Sequence, residues 1–392
     1  MNYNFKSQNR SKSNSYKWED RESKDNLDNN FPLSVADADF LLAPEIKNGI
    51  INYLKNAILG YNKPSSNYYK SIIKWMSNNH NWHIVQEEIV ITPGVINALY
   101  NAIESFTNVG DGVIIMTPVY PRFKQSILDT KREVVTTSLI VEKDRYKIDF
   151  VDLELKANNP NNKMLILCNP HNPIGRVWTR DELVKINNIC LKNNILVVSD
   201  EIHHDLILKG FEHTVFAKIN RNSIILTAPS KSFNIAGLQV GNAIIKNVSL
   251  REKFVKNMDI HGIHMNNGLS LIACELAYSK AEDWLNEFIK VIENNKKILK
   301  KYLQDNIKEV KLYELEGTYL AWLDFKDLNL SHEELNAFLK ENAKLFMSDG
   351  LSFGEEGINH QRMNIAISEE VLLDSLERLK TAVIKKQLVD KN

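Results

Sequence analysis

The sequence predicts an α/β protein with a large domain built on a mostly parallel central sheet, followed by a smaller α+β domain. Two observations lead to this prediction. From about residue 88 to residue 245, short apolar strands alternate with amphipathic helices, which is the pattern of a parallel sheet with helices on both faces. After about residue 280 the pattern changes to a long helix, two strands, a helix, a glycine-rich segment, a further strand and a final helix. The second part is therefore predicted to be a separate α+β unit.

These changes in pattern also predict the limits of three parts. Residues 1 to about 30 are rich in Asn, Ser, Lys and Asp, which is typical of an arm that is ordered only against the rest of a protein. We expect an amino-terminal arm over residues 1–45 that contributes to the small domain. A large domain is expected over residues 46–282 and a small carboxyl-terminal domain over residues 283–392.

The composition fits such a protein and excludes several functional classes. The chain has 392 residues, of which 43% are hydrophobic and 25% charged, as in ordinary globular proteins. The formal net charge is zero, so electrostatics suggest neither a nucleic-acid partner nor an anionic membrane. Cys168, Cys190 and Cys274 fit neither a disulfide framework nor a zinc site by their spacing. The polar amino terminus lacks an apolar signal core and no run approaches membrane-spanning length, so a cytoplasmic location is expected.

The first elements contain two acids and a helical pattern. Asp37 and Asp39 lie in the segment of residues 31–40 and invite a metal site, but no further ligand lies nearby. A loop leading into a helix that starts near Pro44 is the simpler interpretation. A second helix is predicted over residues 68–79, where apolar side chains recur at helical spacing.

A strand, a glycine turn and a helix follow one another between residues 88 and 106. Residues 88–91 form a short apolar run, Gly94 ends it, and residues 95–106 are predicted to form an amphipathic helix. The amino terminus of a helix binds anions through its free N–H groups and its dipole. The turn is thus a candidate anion site, although many α/β proteins contain one.

The next two strands each end in a rigid loop. The strand at residues 111–116 is followed by two prolines that flank Tyr120, so this ring is held where it can stack on a flat ligand. The strand at residues 163–168 ends in Asn169, the first residue of a loop with two Asn-Pro pairs. An asparagine at the end of a strand can donate a hydrogen bond to a ligand oxygen.

An acid and a lysine follow the ends of two further predicted strands. A helix over residues 180–192 precedes the apolar strand at residues 195–199, which ends in Asp200. A buried acid needs a cationic partner or several donors. The following acids and histidines, residues 201–205, leave a metal site open as the less favoured alternative. Lys231 follows the next strand, at the sheet edge where ligands bind in open α/β sheets, and could form a Schiff base with an aldehyde cofactor.

The small domain adds one candidate, Arg362, at the start of a strand behind a glycine-rich segment. An arginine there can hold a carboxylate with two parallel hydrogen bonds.

Taken singly, each candidate also fits a plain structural role. Together, a Schiff-base lysine, an acid, an asparagine, a stacking tyrosine and an anion-binding turn fit pyridoxal phosphate, PLP. No metal ion is part of this prediction.

The motifs VADADF, ITPGVINAL, TPVYPRF, NPHNPIGRVW, SDEIHHD, PSKSFNIAGLQ and FGEEG…RMNIA appear in this order along nearly the whole chain. The set resembles the PLP-dependent enzymes of fold type I, and within them the cystathionine β-lyase-like C–S lyases of the MalY/PatB type. The resemblance implies a PLP-dependent transferase fold with a large and a small domain. It also implies a homodimer with shared active sites and an amino-acid substrate.

Carried over motif by motif, the resemblance assigns the side chains around the cofactor ring. Lys231 would hold PLP and shuttle the α-proton of the substrate. Asp200 would pair with the pyridinium nitrogen, and Tyr120 would stack on the ring. Asn169 would donate to the phenolic oxygen of the cofactor, with His203 nearby.

The resemblance also assigns the phosphate and substrate contacts. Gly94, Val95 and Ile96 would bind the phosphate with their backbone, helped by Ser230, and Tyr61 would reach the phosphate of the neighbouring subunit. The substrate α-carboxylate would be bound by the residues Arg362, Ala36 (through its backbone) and Asn169.

Three residues depart from the pattern of these lyases. Ser34 stands where a tryptophan is frequent, and Ala38 replaces a frequent methionine. Both border the expected substrate entrance, so they bear on substrate choice. Gln239 lies where many aminotransferases of the fold have a phosphate-binding arginine, which favours the lyase branch.

The implied reaction is the α,β-elimination of cystathionine or a related cysteine S-conjugate to a thiol, pyruvate and ammonia. Two alternatives stay open. An aminotransferase shares the lysine and the acid and differs in needing a second half-reaction with a keto acid. A non-catalytic PLP-binding regulatory protein would keep the fold without turnover, but the presence of Lys231, Asp200, Asn169 and Arg362 argues against it.

Overall fold

The computed structural model describes residues 3–19 and 31–389. The predicted arm therefore lies partly outside the described residues. The strands are, in chain order, β1 (Phe31–Pro32), β2 (Ile89–Thr92), β3 (Gly112–Thr117), β4 (Glu133–Ser138), β5 (Ile140–Glu142), β6 (Arg145–Lys147), β7 (Asn162–Cys168), β8 (Leu196–Asp200), β9 (Ile224–Thr227), β10 (Gly241–Ile244), β11 (Lys311–Leu312), β12 (Leu320–Asp324), β13 (Leu345–Phe346), β14 (Ser348–Asp349) and β15 (His360–Asn364).

The longer helices alternate with these strands in the first two thirds of the chain. They are, in chain order, α1 (Pro44–Leu54), α2 (Ser66–His80), α3 (Val95–Phe106), α4 (Pro121–Asp129), α5 (Phe150–Ala157), α6 (Arg180–Lys192), α7 (Val248–Ile260), α8 (Gly268–Lys280), α9 (Glu282–Asn306), α10 (His332–Glu341) and α11 (Glu369–Val389). Short 3₁₀ turns complete the connections between several of these elements.

The central sheet has seven strands in the order β2-β10-β9-β8-β7-β3-β4. Strand β10 runs antiparallel to both of its neighbours, and the remaining pairs are parallel. The predicted mostly parallel sheet is thus confirmed. Because β7, β8 and β9 run side by side in the same direction, the loops after them open at one edge of the sheet.

Helices cover both faces of this sheet, and the side chains of each strand divide between two cores. In β3, Val113 and Ile115 belong to the core beneath α3, α4 and α7, whereas Ile114 and Met116 point into the larger core on the other face. This alternation follows from the two-residue period of a strand. Burial on both faces explains why these strands are continuous apolar runs in the sequence.

The carboxyl-terminal part forms a second, four-stranded sheet in the order β11-β12-β15-β14. All its pairs are antiparallel, and Arg362 on β15 lies opposite both Trp322 on β12 and Ser348 on β14. Strand β1 pairs with β13 nearby, so the chain before α1 is attached to this part. The α+β character predicted after residue 280 is therefore observed.

The loop after β1 is held by the amino-terminal segment. Asp39 accepts hydrogen bonds from Lys17 Nζ at 2.7 Å and from Trp18 Nε1 at 3.0 Å. Arg10 Nη1 lies 2.9 Å from Asp37 Oδ2. The two acids thus have cationic partners within the chain. This satisfies their charge without a metal ion and agrees with the loop interpretation.

None of the helices within residues 3–19 and 31–389 combines the length and the apolar character that crossing a bilayer requires.

Candidate active site

A cavity of about 920 Å³ opens at the carboxyl ends of the central strands, between the large sheet and β15. Ten of the residues predicted for the site line it: Ala36, Gly94, Val95, Ile96, Tyr120, Asp200, His203, Ser230, Lys231 and Arg362. They come from widely separated segments, and parallel strands that end at one edge bring them together. This volume is in the range of pockets that enclose a small organic ligand.

Lys231 lies in the turn after β9 and points toward the loop before α1. Its Nζ donates a hydrogen bond of 2.8 Å to the carbonyl oxygen of Ala36, which also accepts one of 3.0 Å from the Tyr319 hydroxyl. Burial lowers the pKa of Lys231 to about 8, assisted by Arg362 and opposed by Asp37 and Asp200. A substantial fraction of the amine is therefore neutral near pH 7 to 8, as a nucleophile or base requires.

The turn that carries Lys231 is fixed to the loop before α1. Asn234 has a positive φ of 55°, which asparagine tolerates better than most residues. Its Oδ1 accepts from the backbone N–H of Ala38 at 2.9 Å, and its Nδ2 donates to the carbonyls of Ala38 and Phe40. Ala38, one of the departures noted in the sequence, is buried and serves this contact through its backbone.

Asp200 is the last residue of β8, and its carboxylate is almost completely buried. Its Oδ1 accepts from the backbone N–H of Ile202 at 3.1 Å. Burial raises the pKa of Asp200 to about 7, although that hydrogen bond and Lys231 lower it. A cationic ring nitrogen beside it would restore the ionised form, because an opposite charge nearby favours a carboxylate.

The turn between β2 and α3 forms an anion-binding cradle. Gly94 has a φ of +87° and caps α3 without any side-chain hydrogen bond to the first turn, so the first N–H groups are available to a ligand. Strand β10 passes close beneath, since a Cβ on Gly241 would lie 2.9 Å from the Gly94 carbonyl carbon. A Cβ on Gly94 would lie 3.2 Å from Gln239 Oε1, which places the Gln239 side chain at this cradle.

Arg362 is buried at the wall formed by β15. Its Nη1 donates to Asn172 Oδ1 at 2.9 Å, and its Nη2 donates to the Ser34 carbonyl at 2.8 Å and to Ser348 Oγ at 3.0 Å. The guanidinium lies 4.9 Å from the centre of the Phe353 ring, and Nε has no hydrogen-bond partner within residues 3–19 and 31–389. Burial lowers the pKa of Arg362 to about 10, so it stays cationic at neutral pH. Its neighbours are neutral acceptors, which leaves its charge for a carboxylate.

The structure places Asn169 outside the cavity wall. This residue is fully buried, its Nδ2 donates to the Thr214 carbonyl at 3.2 Å, and it does not belong to the cavity wall. The asparagine of the same loop that lines the cavity is Asn172, which also touches Arg362. Asn169 directly follows β7 and stands between Cys168 and Asn172, which both line the cavity, but its own amide bonds Thr214. The doubled Asn-Pro pattern contains both residues, and its composition does not distinguish the one that lines the cavity from the one that does not.

Tyr120 and His203 flank the cavity. Burial raises the pKa of the Tyr120 hydroxyl, so this side chain is neutral at physiological pH. Burial also lowers the pKa of His203 well below its usual value, assisted by Lys231 and Arg362. Its Nδ1 is buried without a hydrogen-bond partner among the described residues. Such an atom has a cost unless a ligand or water satisfies it.

Tyr61 and Ser34, which are also named from the sequence, lie outside the cavity wall as well. Tyr61 is 94% exposed and does not contribute to the wall in a single chain. Ser34 is buried and contacts the site only through its carbonyl, which accepts from Arg362 and from Ser348 Oγ. Tyr319 was missed, although it shares the Ala36 carbonyl with Lys231. No motif in the sequence marks that tyrosine.

The histidines near Asp200 do not form a convincing metal site. Three buried rings, of His80, His204 and His213, approach Asp205 and Glu201. The His80 and His204 rings are stacked at 4.2 Å with only 18° between their planes. The lone pair of a histidine nitrogen lies in the plane of its ring, so an ion bound by both histidines would have to lie in both ring planes. Two nearly parallel planes this far apart do not allow that.

The carboxylate of Glu201, the other acid near these histidines, already has partners within the protein. Glu201 accepts from Ser199 Oγ at 2.9 Å and from the Phe216 N–H at 2.9 Å, and it contacts His213 Nε2 at 3.0 Å. These bonds account for the acid and for one histidine nitrogen without a metal ion.

The cavity fits pyridoxal phosphate by the chemistry of its residues. The site offers the three groups that an aldehyde, a pyridine nitrogen and a phosphate need. They are an amine of lowered pKa, a buried carboxylate without an ion pair among the described residues, and a helix amino terminus without a side-chain cap. The unpartnered His203 Nδ1 adds a polar group that faces this space.

Comparison with known proteins supports the same conclusion. Residues 31–379 match the family model of aminotransferase class I and II. The chain is 38% identical over 356 residues to cystathionine β-lyase PatB of Bacillus subtilis, covering 90% of this chain and 92% of that protein. It superimposes on cystalysin from Treponema denticola, whose structure contains pyridoxal 5′-phosphate, with a TM-score of 0.96, 41% identity and coverage of 98% and 100%.

A second solved structure agrees with the first. The PLP-bound C–S lyase from Staphylococcus hominis matches with a TM-score of 0.90 and 32% identity, covering 98% of this chain and 99% of that one. The fold type I architecture expected from the motifs is therefore confirmed. The chain belongs to the aminotransferase class I and II family, within its group of PatB-like C–S lyases.

Proposed function

We propose that the protein is a PLP-dependent carbon–sulfur β-lyase, which converts cystathionine or a related cysteine S-conjugate and water to a thiol, pyruvate and ammonia. The observation that carries this proposal is the cavity that unites Lys231, Asp200 and Arg362, in a chain similar to named cystathionine β-lyases along its length. Lys231 would act on the proton at Cα, Asp200 on the cofactor and Arg362 on the substrate carboxylate.

The residues that would hold the cofactor follow from the site. Lys231 would bind its aldehyde carbon, Asp200 its ring nitrogen, and the backbone at Gly94 and the start of α3 its phosphate. We assign the contact with the phenolic oxygen to Asn172 in place of Asn169, since only Asn172 faces the cavity. Tyr120 would cover one face of the ring. When bound, PLP supplies the electron sink for the carbanion at Cα.

Lys231 and its surroundings would move the α-proton. The lowered pKa makes the free amine a base that works near neutral pH. The Ala36 carbonyl, which also accepts from the Tyr319 hydroxyl, holds the amine on one side of the cavity, so its direction of approach is set before the substrate binds. The protonated lysine can then return the proton to the departing sulfur.

An aminotransferase on the same fold is the main alternative, because it uses the same lysine and acid. The two functions separate in one measurement. An aminotransferase given only an amino acid leaves its cofactor in the amine form and releases a keto acid once. A lyase returns the cofactor to its aldehyde form after every turnover. We expect the absorbance of the purified protein to recover fully after a thioether amino acid is consumed. Lasting conversion to the amine form would contradict the proposal.

Replacement of Arg362 by lysine is expected to lower kcat/KM by about 100-fold, mainly through KM, because one ammonium cannot replace two parallel hydrogen bonds to a carboxylate. Steady-state kinetics with cystathionine measure the change. Arg132→Lys is the matched control, since this half-buried arginine bonds Thr107 and Thr130 away from the cavity. An Arg362→Lys variant with unchanged KM would refute the assignment.

We further propose that the protein is a cytoplasmic homodimer in which Tyr61 completes the partner's site. Tyr61 stands in a cluster of exposed apolar side chains: Ile58 (89% exposed), Leu59 (69%) and Met265 (57%). The isolated bridge between Asn62 and Asn266 brings the two segments together. Such a patch on a folded chain is typical of a covered interface.

Mixing two inactive variants tests the shared site. Tyr61→Ala and Lys231→Ala each damage a different half of every site. Dissociation and random reassociation should restore roughly a quarter of wild-type turnover, since half of the dimers are mixed and each of these holds one intact site. The two variants kept separate are the control. No recovery in mixtures that gel filtration shows to contain dimers would contradict the sharing of Tyr61.

A further inference from the structure

Asp205 is a buried carboxylate that the proposed reaction does not use, and it lies directly behind the turn that carries Lys231. Its Oδ2 accepts a hydrogen bond of 2.7 Å from Ser232 Oγ. Its Oδ1 accepts one of 2.9 Å from Trp75 Nε1 and lies 2.8 Å from His80 Nε2. Asp205 therefore connects three parts of the chain: the lysine turn, helix α2 and its own loop after β8.

The surroundings keep this carboxylate charged. Burial by itself would raise the pKa of Asp205, but His204 and His80 hold it well below its usual value. His204 Nε2 lies 3.4 Å from Oδ1. A charged acceptor makes hydrogen bonds that are shorter and roughly twice as strong as those of a neutral one. The bond to Ser232 is thus a strong anchor in a water-poor region.

Ser232 is the residue next to Lys231, and its side chain is fully buried. Asn234, two residues further along the same turn, bonds the loop before α1, so the turn is held at two points, Ser232 and Asn234. A shift of about 1 Å in a catalytic group can reduce a rate by about 100-fold. The position of the lysine nitrogen therefore depends on the Ser232 anchor.

We propose that Asp205 is a positioning residue, which acts through Ser232 to fix the Lys231 amine where it joins the cofactor and meets the α-proton. The inference rests on the proposed function for the proton-transfer step. The part that concerns the bond between lysine and cofactor is independent of which amino acid the enzyme consumes.

Ser232→Ala is the test variant, because it removes one hydroxyl and leaves the other partners of Asp205 in place. Asp205→Ala is the companion variant, and Ser199→Ala is the matched control. Ser199 is also a fully buried serine whose hydroxyl donates to a buried carboxylate, that of Glu201 at 2.9 Å. It lies on β8, not on the lysine turn.

Three readouts distinguish positioning from stability. We expect Ser232→Ala to slow the rebinding of PLP to the apoenzyme about tenfold and to shift the pH at which the bound cofactor changes its absorbance. We expect kcat with cystathionine to fall about 10- to 100-fold, with KM changed less than threefold. Ser199→Ala should lower the melting temperature by a similar amount and leave rebinding, absorbance and kcat within twofold of the wild type.

The inference is overturned if Ser232→Ala melts earlier but keeps the wild-type rebinding rate and absorbance titration. It is also overturned if Ser199→Ala changes the PLP rebinding rate and the absorbance titration as much as Ser232→Ala does. Neither the rebinding rate nor the absorbance titration needs turnover. A wild-type protein without lyase activity would therefore refute only the proposed function and not this inference. Should Asp205→Ala fail to fold, the comparison of the two serine variants still decides.

Discussion

Lys231→Ala is expected to reduce turnover by roughly 10²- to 10⁴-fold, the usual contribution of a positioned acid–base group. The variant loses the amine that binds the aldehyde and the base that takes the α-proton, while a small side chain fits the turn without a clash. The variant should remain folded, because Ser232 and Asn234 still hold the turn. Pyruvate release and the absorbance of the cofactor measure the two losses separately.

Two comparisons make this expectation specific. Lys192→Ala, on the exposed side of α6, should behave as the wild type. A small primary amine added to Lys231→Ala should recover part of the turnover, since it can enter the vacated space and accept the proton. Normal activity in Lys231→Ala would refute the assignment of the lysine.

Asp200→Asn is expected to lower kcat by about 100- to 1,000-fold, the scale seen when one electrostatic group at a reacting centre is removed. The amide keeps the shape of the side chain but offers no negative charge to the ring nitrogen, so charge developing on the cofactor is no longer stabilised. The KM for cystathionine should change little, because Asp200 is not among the hydrogen-bond partners of Arg362, the residue proposed to bind the substrate carboxylate.

Glu201→Gln provides the matched control for Asp200→Asn. Glu201 is the neighbouring buried acid, and burial raises its pKa to about 7 as well. Its partners are Ser199, Phe216 and His213, on the far side from the cavity. It should therefore affect the melting temperature more than kcat. Equal kinetic losses in the two variants would show that burial of an acid, and not contact with the cofactor, explains the effect.

Much of this account was accessible from the sequence, because the strongest local signals coincide with the site. Helices α3 and α6 begin and end at the predicted residues, since a glycine turn and a capping box mark their starts. Asp200 and Lys231 were predicted at the ends of strands, and β8 and β9 end there or just before. The continuous apolar runs of buried parallel strands made these elements easy to recognise.

Other features depend on contacts between distant residues, and no local pattern predicts them. The choice between Asn169 and Asn172 is decided by the path of a loop, not by its composition. His80 and His213 both contact His204, although more than a hundred residues separate His80 from His204 in the chain. Likewise, the composition predicts an arm packed against the rest of the protein, but it does not predict that Lys17 pairs with Asp39.

The most direct test is one incubation of the purified PLP-loaded protein with cystathionine and without any keto acid, in which pyruvate and free thiol are measured together. We predict that both appear in equal amounts over many turnovers, with Lys231→Ala as the blank. Pyruvate without thiol, or a single turnover that ends with the cofactor in its amine form, would contradict the β-lyase assignment and favour an aminotransferase.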